Sequence, residues 1–176
     1  MAFGVLLPSL FHLAGMGGPV FLPMHIPVLL AGLTLGPATG AAIGILTPLL
    51  SFILTGMPPV SPPILQLMMV ELAVYAAAAG WLARSLRTLG PLLGILAPLV
   101  GAMVAGRLAL AVGVWAAATW LGFKGPAPGD YVLGAVMTGL PGLALQVVVV
   151  PALARLLSRL PSALALPPEA ESGRHA

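Results

Sequence analysis

Apolar segments follow one another along this chain with only Gly, Pro or a small cluster of charges between them. The longest, Pro91 to Leu121, contains a single charge, Arg107. A backbone in hydrocarbon must keep its hydrogen bonds inside helices, so breaks in the apolar pattern mark helix ends. The rest of the chain offers no alternative to a bilayer: 60% of residues are hydrophobic and 6% charged, with a mean hydropathy of +1.11, far from soluble composition. The reading is an all-α integral membrane protein of the cell membrane. Seven bases against four acids, scattered through apolar sequence, cannot form a nucleic-acid-binding face, so the positive excess is topology information. Cysteine is absent, which excludes disulfides, thiolate metal sites and cysteine nucleophiles.

Six segments result: Met1 to about Ala14, Met24 to Leu35, Pro37 to Leu54, Pro63 to Leu86, Pro91 to Leu121, and Asp130 to Leu160 with interruptions at Pro141 and Pro151. The first two fall short of the ~20 residues of a spanning helix. The fifth would be roughly 46 Å long as a helix, so tilt, a kink near Pro98 or projection beyond the membrane is expected. Met1 to Leu7 lacks a basic n-region and a cleavage site and is read as helix. Arg84, Arg87, Arg155 and Arg159 fall on one side of six transmembrane helices and Lys124 on the other. The positive-inside rule then makes both termini cytoplasmic. Residues 1–160 form one membrane domain, and 161–176, rich in Pro, Ala, Glu and Ser, a disordered cytoplasmic tail. Gly36, Gly40 and Gly44, and again Ala97, Gly101 and Ala105, recur every fourth residue, the pattern of closely packed helices.

The chain holds no G-x-x-x-x-G-K-[ST] loop and no H-E-x-x-H, so it neither hydrolyses ATP nor resembles a zinc protease. Ser51 and Ser61 have no nearby base. No enzyme, no metal and no cofactor is expected. What stands out is Glu71 in the fourth segment and Arg107 in the fifth. Charges at such depth cost about 2.5–3.5 kcal/mol each and must face protein or water. They form either an internal ion pair or the wall of a polar cavity that holds substrate, and the two readings are compatible. Gln66, Met69, Glu71 and Tyr75 share a stretch in which Glu71 and Tyr75 are one turn apart, and Gln146 is a further intramembrane amide. His12 and His25 lie toward the outer side, as do Trp115 and Trp120, whose default role is interface anchoring.

The run Phe21-Leu22-Pro23-Met24-His25-Ile26-Pro27-Val28-Leu29-Leu30, then Gly36-Pro37 and Gly40, Pro48-Leu49-Leu50-Ser51 and Thr55-Gly56-Met57-Pro58-Pro59, resembles the substrate-binding S components of energy-coupling factor (ECF) transporters. Glu71-Leu72 with Tyr75, Gly106-Arg107, and Thr138-Gly139-Leu140-Pro141-Gly142 with Gln146 are similar too. The resemblance implies a six-helix subunit that captures a water-soluble vitamin or related micronutrient. It would dock onto a transmembrane coupling subunit carrying two ABC ATPases and topple in the bilayer to deliver cargo. Substrate contacts are then expected at His25, Glu71, Tyr75, Arg107 and Gln146, with Thr55 to Pro62 as a lid. S components commonly have a longer first helix bearing Ala-x-x-x-Ala. Here Ala2 would be its second alanine, so either the true start lies upstream of Met1 or docking is built differently. Which vitamin is bound is not encoded legibly. The alternatives are a non-transport membrane scaffold with a structural Glu71–Arg107 pair, and a nickel/cobalt uptake component echoed in Met24-His25-Ile26-Pro27.

Overall fold

The computed structural model describes residues 2–13, 15, 18–60 and 63–159, apart from the side chains at 9, 11–13, 18, 19 and 159. The expected tail at 161–176, Ser61 and the His12 side chain lie outside this set. The described residues hold seven α-helices and no strand: α1 Ala2–Leu13, α2 Gly18–Phe21, α3 His25–Leu35, α4 Pro37–Thr55, α5 Ile64–Ser85, α6 Leu93–Trp120 and α7 Pro128–Arg159. A 3-10 turn, Arg87–Leu89, links α5 to α6.

Four of these, α4 to α7, are long and apolar enough to cross a membrane, while α3, at 11 residues, is a shorter apolar helix. Both α1, at 12 residues, and α3 fall short of a full span. Two features depart from the pattern expected of the sequence. The Gly/Pro-rich connection after α1 contains the short helix α2, and α7 runs unbroken through Pro141 and Pro151. Proline removes one donor and crowds one carbonyl but does not end a helix whose other backbone bonds are enforced by lipid.

Helix α5 is the centre of the bundle, packed by α3, α4 and α6, while α7 packs on α6, α2 and α3. The joint between α3 and α4 is one residue, Gly36, with φ 92°, a backbone conformation that side chains other than glycine's disfavour. Its N–H donates to the Gly32 carbonyl at 3.1 Å, and its own carbonyl accepts from Gly40 N–H at 2.9 Å. Pro37 then opens α4, where its missing donor costs nothing.

Contact among α3, α4 and α5 is backbone to backbone. A Cβ on Gly40 would stand 2.7 Å from Gly32 Cα, one on Gly44 2.7 Å from Ala73 N, and one on Gly80 2.6 Å from the Gly32 carbonyl oxygen. The expected glycine stripe is therefore real in α4, with Gly36 as its joint rather than a member. In α6 the buried row is Pro98, Ala102, Gly106, Leu110 and Val114, one residue over from the expected Ala97, Gly101 and Ala105. The outward row Val100, Val104, Leu108 and Val112 is about half exposed or more, an apolar stripe suited to lipid.

Candidate functional site

The turn ahead of α3 places the first residue of the site. Leu22 takes φ 47°, and its carbonyl accepts from His25 N–H at 3.0 Å, which starts α3 at His25 and buries its ring. The His25 ring meets Tyr75 edge to face, with centroids 5.1 Å apart and planes at 89°. Tyr75, wholly buried in α5, lies flat against α6 at Gly106, where a Cβ would collide with the ring. Around it pack Ile26, Leu29, Ala79, Leu99, Ala102 and Val150.

One turn from Tyr75 on the same face of α5, Glu71 Oε1 accepts from Arg107 Nη1 at 2.8 Å. The side chains retain 5% and 12% of their exposure respectively. Two charges at this depth, roughly 10 Å along the axis from the start of α5, are tolerable because they neutralise each other. Three helices thus deliver four polar residues to one place: His25 from α3, Glu71 and Tyr75 from α5, Arg107 from α6.

Gln146 is fully buried in α7. Its neighbours Leu145, Val149 and Val150 pack against the cluster around Tyr75, but no bond joins the amide to the other four residues. Gln66 is exposed, while Leu67 joins the expected pair Glu71 and Tyr75 among the buried residues of α5. Trp115 and Trp120 pair with each other at 5.7 Å and are mostly exposed, as interface anchors are.

The cluster does not satisfy itself. Both ring nitrogens of His25, the Tyr75 hydroxyl, Nε and Nη2 of Arg107 and both amide atoms of Gln146 are buried without a hydrogen-bond partner among the described residues. A buried donor or acceptor left unpaired costs about 1–3 kcal/mol, and native interiors rarely carry several together. The arrangement therefore offers donors from Arg107 and both donor and acceptor capacity from His25, Tyr75 and Gln146, to a small polar molecule.

Near the start of α5, Leu67, Leu110 and Val114 are covered by Phe123, Tyr131 and Val132, and the Phe123 and Tyr131 rings meet at 6.5 Å. These aromatics were not legible as site residues, since each stands in a Gly- and Pro-rich connection or at a helix start. Of the expected lid, residues 61 and 62 lie outside the described set. Pro58, after a cis Met57–Pro58 bond, is buried, and Leu65 N–H donates to Pro59 carbonyl at 3.1 Å. Thr47 is likewise fully buried in α4 with its hydroxyl unpartnered, packed beside Gly4 of α1.

Among curated proteins and among solved structures, nothing matches the chain. The family of the ECF transporter, substrate-specific component, matches residues 1–154. That stretch holds every helix up to α7 and all five polar residues of the cluster. An apolar bundle with a buried polar centre and a match across nearly its whole length is a multi-pass membrane subunit of a transporter, and the chain belongs to the substrate-specific component family of ECF transporters.

Proposed function

We propose that the chain is the high-affinity substrate-binding subunit for uptake of a water-soluble vitamin or related micronutrient, and that His25, Glu71, Tyr75, Arg107 and Gln146 hold the cargo. The observation that carries this is the set of buried hydrogen-bonding atoms without partners on four of those residues. A scaffold would gain from replacing them with apolar side chains, whereas a binding subunit needs them. The Glu71–Arg107 pair, being neutral overall, fits a wall that orients cargo through the remaining guanidinium donors. Phe123 and Tyr131 close the outer end in this reading, and loop 122–129 opens to admit cargo.

The energy comes from elsewhere. With no phosphate-binding loop in the sequence, the chain supplies recognition to a transmembrane coupling subunit and two ABC ATPases. It crosses the bilayer six times, α1 and α3 as short spans, with both termini cytoplasmic. Membrane-impermeant thiol reagents should label Ala127→Cys from outside intact cells and leave Ser85→Cys unlabelled; the reverse would invert the whole arrangement. In proteoliposomes loaded with ATP, accumulation from a mixture of water-soluble vitamins should require the coupling subunit and both ATPases. ATP hydrolysis by the purified chain alone would overturn the reading.

A further inference from the structure

At the opposite end of α5 from the Phe123 and Tyr131 cover, a cavity of about 280 Å³ opens between the α3–α4 joint and the end of α5. Its walls include Thr34 and Gly36 on one side and Gly80, Arg84 and Arg87 on the other. Glycine makes the space: a Cβ on Gly36 would collide with Nη2 of Arg84, and one on Gly80 would stand 2.6 Å from Pro37 N. The Arg84 guanidinium thus lies against the backbone of the α3–α4 joint, and the last turns of α3 and α5 form the rest of the wall.

Neither Arg84 nor Arg87 makes a hydrogen bond or ion pair among the described residues. The described acids are Glu71, bound to Arg107, and Asp130, in the first turn of α7. Asp130 precedes Tyr131, which packs near Leu67, roughly 25 Å along α5 from Arg84. Two forked cations therefore converge on a cavity with no acid in it. Its volume sits at the lower edge of the ~300–1,000 Å³ of small-molecule pockets, suited to a phosphate with a short substituent. Leu35, in the wall, is 56% exposed, apolar surface at the end of α3 against which an acyl chain can lie.

We infer that this cavity is a site for a phosphate-bearing anion, namely the headgroup of an anionic membrane lipid whose chains lie against Leu35. Arg84 and Arg87 bind the phosphate oxygens in fork geometry. The site is separate from the buried polar cluster and stands whether or not that cluster binds cargo.

The test uses the full-length chain in detergent, followed by native mass spectrometry and thermal unfolding, with phosphatidylglycerol, phosphatidylcholine and inorganic phosphate as probes. Phosphatidylglycerol should remain bound to the wild type and to Arg155→Gln, a cation outside the cavity. It should bind at least about tenfold more weakly to the Arg84→Gln, Arg87→Gln double variant, at about fivefold per arginine. The Arg84→Lys, Arg87→Lys variant should fall between, keeping charge without the fork. Stabilisation by inorganic phosphate equal to that by phosphatidylglycerol, and lost in the same double glutamine variant, would support the site with free phosphate as its ligand. Equal retention of phosphatidylglycerol by the wild type and that variant overturns the assignment, as does a wild type that prefers neither phosphatidylglycerol over phosphatidylcholine nor responds to phosphate.

Discussion

The two faces of α5 solve opposite problems. Toward α4 and the later turns of α3 it presents Leu72, Ala76 and Gly80, and Gly32, Gly40 and Gly44 opposite bring backbones into contact. Toward α6 it presents Leu67, Glu71 and Tyr75, and there the interface holds an ion pair and polar atoms without partners. The first face gains its stability from close packing, which in lipid replaces the hydrophobic effect as the force between helices. The second gives up stability to keep hydrogen-bonding capacity buried. A rigid hairpin of α3 and α4 behind α5 lets the front face carry that cost without rearranging.

The contrast is broken most strongly at the ion pair. Glu71→Gln leaves the Arg107 guanidinium buried without its carboxylate and should destabilise the protein by about 3–5 kcal/mol, read as a large fall in thermal midpoint in detergent. A loss below about 1 kcal/mol would mean that Arg107 reaches water and the front face is wetter than its burial indicates. On the back face, Gly44→Ala should cost about 1–3 kcal/mol through overpacking against the Leu72–Ala73 backbone, with cargo binding following stability. Near-neutral behaviour would show that the α4–α5 contact has slack.

Tyr75→Phe and Gln146→Leu separate the two readouts. Each removes buried polar atoms that have no partner, so stability should hold or rise by about 1 kcal/mol while cargo retention falls several-fold. A parallel loss of stability would place those groups in the scaffold rather than in a site. The smallest effect belongs to Gln66→Ala, which should change stability by less than about 0.5 kcal/mol and leave binding alone, because Gln66 points away from both faces.

The ends of α3 to α6 were legible to within about two residues because punctuation sits at them: Gly36-Pro37, Gly56, Pro63, Gly90-Pro91 and Gly122. The interior of α7 misled, since Pro141 and Pro151 read as breaks but lie within continuous helix. Charge pairing was legible because Glu71 and Arg107 are the only charges deep in apolar segments. The helical phase was harder. Small residues occupy neighbouring rows of α6, and only the Tyr75 ring against Gly106 decides which row is buried. The His25–Tyr75 contact depends on the positive φ of Leu22, a conformation no residue type there announces. Gln146 was recognisable as a buried amide, but its level in the bundle follows from how α7 packs, which local sequence does not encode.

The claim that the polar front of α5 is a cargo site is tested most directly by mass spectrometry of small molecules that co-purify with the wild type and with the Glu71→Gln, Arg107→Gln double variant. Neutralising both charges removes the unpaired-charge penalty that each single change creates, so the double variant should recover much of the lost stability and run as a monodisperse peak. The account predicts that this folded double variant has lost most of the molecule the wild type retains. Undiminished retention by the double variant would contradict it and leave Glu71 and Arg107 as a device for packing α5 against α6.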